Sequence, residues 1–316
     1  MKLTRTLITA ATLVVTPWVW GCGEHPYLSA VSSYASTASD SVKSLTDIPT
    51  TAATICRKQS VARYLKLRLQ GAPPPPLWEA YYTSPKEADG TLSWKEYCAE
   101  IQATGKNFSA LLGILTTYSS AMKALAGQGT WDGTSLKTLT TNLSNLSGAK
   151  TPAGQVLSGL APLSQQLGSF VVAKYSEKEI NAFAGKADAS VQAILDGLNL
   201  YIDKVNKDVV GAATIDRLEV VKLLETKGNV WTESLDAGRV TDFVNYAKSV
   251  DDDIDNIAST FESYKALIAK LKEGHSTLVK TPHDDINAND ILTAATNILT
   301  ALTQVQTAVA GKSSSN

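Results

Sequence analysis

Apolar residues recur at alternating three- and four-residue spacing along most of the chain after residue 25. This spacing places each set on one face of an α-helix, whereas a strand would need alternation at every second residue. We call each set a seam, and five seams begin at Leu28, Trp94, Val191, Val240 and Ile291. A repeat sustained near 3.5 residues is typical of long helices that pack at shallow angles. The sequence therefore predicts an all-α fold, an elongated multi-helix bundle with long antiparallel helices and almost no sheet.

Helix start and stop signals agree with these seams. Ser93 and Glu96 have the spacing of a capping box ahead of the second seam. Gly127 and Gly274 follow long seams and are expected to end their helices, since glycine readily adopts the left-handed backbone of a helix C-terminus. If a helix ends at Gly274, His275 lies beyond it.

The first 22 residues have a different pattern. Two basic residues, Lys2 and Arg5, precede an apolar run over residues 7–20, which is shorter than the roughly 20 residues that cross a bilayer comfortably. The run ends in Val19-Trp20-Gly21-Cys22. This arrangement resembles the signal of a bacterial lipoprotein precursor, with Trp20 at a position where a small residue is usual. An ordinary secretory signal with a chance cysteine, or an uncleaved anchor, are the alternatives.

The resemblance implies that residues 1–21 are a signal peptide and that Cys22 is lipidated, for example with palmitate, as the first residue of the mature protein. The protein would then be lipid-anchored in the cell envelope, at the outer membrane or on the periplasmic face of a membrane. We expect residues 22–310 to form one helical bundle and the polar residues 311–316 to form a disordered tail.

The chain has two further cysteines, Cys56 and Cys98. In an oxidising envelope, two cysteines left after lipidation of Cys22 favour one disulfide, and two buried free thiols are the alternative. Cys98 follows Trp94 by one helical turn on the second seam and should point into the bundle. Cys56 falls in a helix predicted over residues 50–70.

The most unusual local composition is Pro73–Pro76 followed by an aromatic cluster that includes Trp78, Tyr81 and Tyr82. Four prolines give a stiff extended segment, and adjacent aromatic side chains suit a partner-binding platform. The alternative is a rigid crossover whose aromatic side chains cover an open end of the bundle.

Residues that could carry chemistry do not converge along the sequence. The best metal-like cluster begins at His283, but Asp285–Asn289 matches only the start of a calcium loop, because the glycine and the bidentate glutamate that should follow are missing. We interpret Asp251–Asp255 as a solvated helix face. No strained serine turn or glycine-rich phosphate loop is present, so we predict no catalytic residue, no cofactor and no metal.

The net charge of −1 gives no basic surface for nucleic acid. We therefore predict a non-enzymatic envelope lipoprotein with a structural, scaffolding or protein-interaction role. Its partners would be the lipid membrane, through acylated Cys22, and a protein of the envelope. Two alternatives remain open: a membrane-acting helical protein similar to pore formers, and a bundle that binds or senses a small molecule.

Overall fold

The computed structural model describes residues 25–69, 78–84, 92–127, 177–231, 237–280 and 288–311. These residues form α1 (Pro26–Ser44), α2 (Ile48–Leu69), α3 (Trp78–Thr83), α4 (Trp94–Leu125), α5 (Glu177–Val205), α6 (Ala212–Trp231), α7 (Ala237–Lys280) and α8 (Ala288–Gly311). A π-helical segment, Asn206–Gly211, joins α5 to α6. The described residues contain no strand, so the predicted all-α multi-helix bundle is confirmed.

The predicted seams form the core of this bundle. In the third seam, every residue from Val191 to Val209 is at most 4% exposed. In the fourth seam, which lies in α7, Phe261 is fully buried. The side chains of the fourth seam ahead of Ile257 lie outside the described set. Among the described seam residues, Leu28 and Ile101 are partly buried, and Val309 near the end of α8 is 40% exposed. Burial of seam residues by neighbouring helices supplies most of the driving force for such a fold.

The helix α4 runs antiparallel to the line formed by α1 and α2. Near its start, Cys98 is bonded to Cys56 of α2. About two helical turns later, Gly105 lies against Pro49 at the start of α2. Towards its end, Tyr118 shares a small cavity with Tyr34 of α1. The partner residue numbers fall as the α4 numbers rise, which defines the antiparallel direction.

The helix α5 returns along α4, because Phe183 stacks on Tyr118 while Tyr201, eighteen residues later, contacts Phe108. The direction reverses again in α7. Its Lys265 pairs with Asp203 of α5, and its Lys272 pairs with Asp196.

The last helix, α8, follows α7 after residues 281–287 and packs along both α7 and α1. It therefore runs back from the end of α7, in the same direction as α1 and α5. We call the end of the bundle at which α1, α5 and α8 begin the N-terminal end. At that end α4 and α7 terminate, so the predicted long antiparallel helices are present.

The predicted signals around α4 are confirmed in detail. The Ser93 hydroxyl accepts a hydrogen bond from the backbone N–H of Glu96 at 3.2 Å. In return, the Glu96 carboxylate accepts from the backbone N–H of Ser93 at 2.8 Å, which completes the capping box. These contacts hold the pKa of Glu96 below its ordinary value, because they favour the ionised carboxylate. Gly127, just after the helix, has φ +79°.

The expected helix end at Gly274 is wrong, because α7 continues to Lys280. The reason is close packing: a Cβ added to Gly274 would lie 2.9 Å from Ile298 Cδ1 of α8 and 3.1 Å from Tyr34 Cε2 of α1. The missing side chain allows three helices to approach one another, which outweighs the low helix propensity of glycine. The placement of His275 beyond the helix is wrong for the same reason, since His275 lies inside α7 and is fully buried.

The predicted disulfide is present. Cys56 and Cys98 are bonded with their Cα atoms 5.6 Å apart, and both side chains are buried. Cys98 points into the bundle as expected from its place on the second seam. The bond links α2 covalently to the first turns of α4.

We expect Phe261→Ala to lower the free energy of unfolding by about 3–5 kcal/mol, because the ring is fully buried between helices and its loss leaves a cavity. Ser259→Ala is the matched control, since Ser259 is exposed two residues away, and should change stability by less than about 0.5 kcal/mol. Chemical denaturation of both variants measures these values. Equal losses would contradict the assigned face of α7.

We expect the double variant Cys56→Ala/Cys98→Ala to lose about 4 kcal/mol of stability, because the bond closes a loop between residues 42 positions apart and restricts the unfolded chain. Denaturation of oxidised wild type and of the variant gives the difference. Non-reducing peptide mapping should recover the two cysteines in one linked peptide pair. Two free thiols in folded, oxidised protein would contradict the bond.

Candidate functional site

The most distinctive polar feature of the described residues is a hydrogen-bond chain across three helices. The hydroxyl of Tyr118 in α4 lies 2.9 Å from Nε2 of His275 in α7. The other ring nitrogen, Nδ1, lies 3.0 Å from a carboxylate oxygen of Asp188 in α5. A carboxylate only accepts, so Nδ1–H donates to Asp188, and Nε2 of the neutral ring accepts from the Tyr118 hydroxyl. We call these three residues the polar chain.

The polar chain leads from the core to the surface. His275 is fully buried and Tyr118 is 3% exposed, whereas the Asp188 side chain is 38% exposed. The side-chain amide of Gln192 donates to Asp188 at 3.2 Å and to the hydroxyl of Ser276 at 3.0 Å. These two bonds connect Asp188, the exposed end of the polar chain, to α7 as well. The carboxylate thus stays hydrated while the imidazole does not.

Burial sets the charge state of the two inner groups. It lowers the pKa of His275 to about 4, although the Asp188 carboxylate opposes this shift. Burial also raises the pKa of Tyr118 well above its ordinary value, and nearby Tyr34 and Asp188 add to this effect. Tyr118 and His275 are therefore uncharged at neutral pH. The carboxylate of the polar chain, Asp188, is at its partly exposed end.

The order Tyr–His–Asp resembles the nucleophile, base and orienting acid of a catalytic triad. The cavity lined by Tyr118, however, is small. The cavity that it shares with Tyr34, Leu115 and Leu271 has a volume of about 20 Å³, room for about one water molecule. Among the described residues this cavity has no room for a larger molecule, and the two hydrogen bonds of His275 link α4, α5 and α7.

The aromatic residues singled out in the sequence are placed differently from one another. Tyr81 of α3 is 8% exposed, and its hydroxyl accepts a hydrogen bond from the Trp94 indole N–H at 3.1 Å. Tyr82 is half-buried, with the Arg57 guanidinium 6.0 Å from its ring centre. Trp78 begins α3, and its side chain lies outside the described set. Tyr81 thus packs into the bundle, while a partner-binding role for Trp78 and Tyr82 stays a prediction.

A second polar cluster joins α2 to α6. Asp216 is only 6% exposed and lies 2.9 Å from the Arg63 guanidinium and 3.8 Å from the Lys66 ammonium. Lys66 also pairs with Glu219. A buried carboxylate is tolerated when cations neutralise it, so these contacts explain how a charged residue occupies the inner side of α6.

Most of the remaining sequence candidates lie outside the described residues: Cys22, the proline run Pro73–Pro76 and residues 283–287 of the cluster that begins at His283. Asn289 of that cluster is exposed in the first turn of α8, and for Asp251–Asp255 only the helical backbone is described. Among the described side chains, no group of three or more His, Cys, Asp or Glu is placed to hold a metal ion. None of the described helices combines the length and the hydropathy needed to span a bilayer.

The polar chain was not predicted from the sequence. His275 follows Leu271 by four residues and so continues the α7 seam, and that spacing was the one local signal for its burial. No sequence signal pointed to Tyr118 or Asp188 as its partners, since they lie 157 and 87 positions away.

Comparison of the chain with protein-family models, with curated proteins and with solved structures finds no match.

We expect the stability of the protein to fall as the pH falls from about 6.5 to about 4, because of His275. In this window the unfolded chain binds a proton at an imidazole of ordinary pKa, about 6.5, and the folded chain does not, so protonation favours unfolding. The shift corresponds to about 3 kcal/mol at pH 4.

The matched variant is His275→Gln, which keeps a polar side chain without a titrating ring. Unfolding free energies of wild type and variant, measured at pH 7 and at pH 4, should show a drop about 3 kcal/mol larger in wild type. The same drop in both proteins would mean that the buried imidazole is not responsible.

Proposed function

We propose that the protein is a lipoprotein of the cell envelope, anchored in a membrane through acylated Cys22, with a non-enzymatic structural or protein-interaction role. The observation that carries this proposal is the use of the three cysteines. Cys56 and Cys98 are joined in a disulfide, a bond typical of oxidising compartments outside the cytosol. Cys22 is the remaining cysteine, and it ends the lipoprotein-like signal.

The small number of residues between Cys22 and α1 supports the same proposal. α1 begins at Pro26, and Tyr27 is already fully buried. A tether of four residues reaches at most about 14 Å when fully extended. An acylated Cys22 would therefore hold the N-terminal end of the bundle close to the lipid surface, and several acyl chains would make that attachment stable.

The use of the buried polar groups supports a structural rather than a catalytic role. In the polar chain, Tyr118 and His275 are occupied by contacts between helices, and Asp216 is occupied by Arg63 and Lys66. Catalytic groups need to converge on a space that admits substrate. Both clusters instead stabilise the relative positions of helices, which suits a rigid body that presents surfaces to a partner.

The anchor is tested with Cys22→Ser. We expect this variant to leave the membrane fraction or to accumulate as an uncleaved precursor, because it lacks the thiol that receives the lipid. The matched control is Cys56→Ala/Cys98→Ala, which should still take up labelled fatty acid through Cys22. Labelled Cys22→Ser protein, or wild type that takes up no fatty acid, would contradict the proposal.

The interaction role is tested by crosslinking the intact lipidated protein in its own cells and identifying what is joined to it. A partner that resides in the envelope, including another copy of the chain, is the expected result. Crosslinks confined to cytosolic proteins would contradict the proposed location.

A further inference from the structure

The helix α8 has an unusual outer surface. It carries no Asp, Glu, Lys, Arg or His from Ile291 to Gly311, although charged residues make up 19% of the whole chain. A helix on the surface of a bundle normally places charged side chains on its solvent side. Depletion of charge is instead typical of the buried centre of a protein–protein interface.

Four exposed residues of α8 repeat with the spacing of a seam. Leu292, Thr296, Leu299 and Thr303 are separated by four, three and four residues, and we call them the α8 stripe. Leu292 is 40% exposed and Leu299 is 37% exposed. The stripe thus has the pattern by which one helix packs against another, but it lies on the solvent side of α8.

The threonines of α8 make this surface more apolar than its composition indicates. The hydroxyl of Thr296 donates to the carbonyl of Leu292 at 2.9 Å, and that of Thr303 donates to the carbonyl of Leu299 at 2.9 Å. The three other threonines of the helix make the same bond four residues back: Thr293, Thr300 and Thr307. Because these donors are satisfied within the helix, burial against a partner leaves none unpaired and brings methyl groups to the contact.

The neighbouring helix α1 extends this surface without adding net charge. Its exposed residues Ser29 and Ser33 are neutral, and its two charged residues, Asp40 and Lys43, pair with each other at 2.9 Å. With 24 residues, α8 is about 36 Å long, and two adjacent helices are about 20 Å wide. Such a face covers about 700 Å², close to the roughly 800 Å² per partner of a stable complex.

We propose that the α8 stripe is the surface through which two copies of this chain pack side by side on the membrane. This inference rests on the proposed lipid anchor. Because α8 runs away from the N-terminal end, a twofold axis along α8 leaves both Cys22 anchors in one membrane and brings each stripe residue opposite its own counterpart. Anchoring raises the local concentration of copies at the same height, and two faces without net charge meet without repulsion.

A lipid surface fits the α8 stripe less well than a second copy of the chain does. Helices that lie on membranes combine an apolar side with lysines and arginines that contact the headgroups. The stripe has no basic residue, and α8 leads away from the anchored end. These features favour a contact between neighbouring copies.

The first test uses the full-length protein in its own membranes with Thr296→Cys. A parallel twofold contact places the two new thiols opposite each other, so mild oxidation should join most chains into a dimer. The control is Ser259→Cys, exposed on α7 and outside the stripe, which should give at most a tenth of that yield. Equal yields, or a Thr296→Cys thiol that links to a different protein or reacts mainly with a lipid-soluble reagent, would overturn the proposal.

The second test places a charge in the contact. Thr296→Glu should lower the dimer fraction at least tenfold in sedimentation of the detergent-purified lipoprotein, because like charges would face each other across the axis. The control is Thr54→Glu, an exposed threonine of α2 whose hydroxyl makes the same bond to the carbonyl four residues back, at 3.0 Å. The control should dimerise as wild type does; a dimer that tolerates Thr296→Glu would overturn the proposal.

Fatty-acid labelling of the same samples separates the two proposals. Labelled protein that stays monomeric would overturn the α8 contact and leave the anchor in place. Dimers joined through Thr296→Cys in unlabelled protein would support the stripe as a contact and overturn the anchor.

Discussion

The register of α4 against its neighbours is the constraint on which the arrangement of the bundle depends. α4 packs against α1, α2, α3 and α5, so a shift of this helix would disturb contacts on several sides. Two connections fix it: the bond from Cys98 to Cys56 near its start and the hydrogen bond from Tyr118 to His275 near its end. The two α4 residues are about 30 Å apart along the helix, so neither sliding nor rotation of α4 is compatible with both.

Apolar seams alone would not define that register well. Leucine, valine and alanine side chains at 3.5-residue spacing can be repacked one repeat further along with a modest loss of contact. A hydrogen bond to a buried imidazole has no such substitute, because a shifted α4 would leave Nε2 of His275 without its Tyr118 partner in the core. The close approach at Gly274 restricts the register of α7 against α1 and α8 in a similar way, since Tyr34 and Ile298 occupy the space that a side chain would fill.

Much of the fold could be predicted because it follows from local rules. The seams, the capping box at Ser93 and the left-handed glycine after α4 each depend on residues within a few turns of one another. The disulfide was predictable for another reason, since the resemblance to a lipoprotein signal reserved Cys22 and left only one pair. The predicted end of α7 at Gly274 was wrong. The local rule that glycine ends a helix does not hold there, because α1 and α8 pack too closely for a side chain at that position. The polar chain could not be predicted from the sequence, since its members are brought together only by the tertiary fold.

His275 and the α8 stripe both depart from the normal pattern of a helical bundle, and they differ in what accounts for them. A histidine on a seam is unusual, but Tyr118 and Asp188 satisfy both of its nitrogens, so the explanation lies inside the chain. The α8 stripe also departs from the pattern, with the spacing of a seam and no charge, yet its residues are exposed. Because every other described seam is covered by a helix of the same chain, the stripe is the surface on which a second chain would complete the same packing.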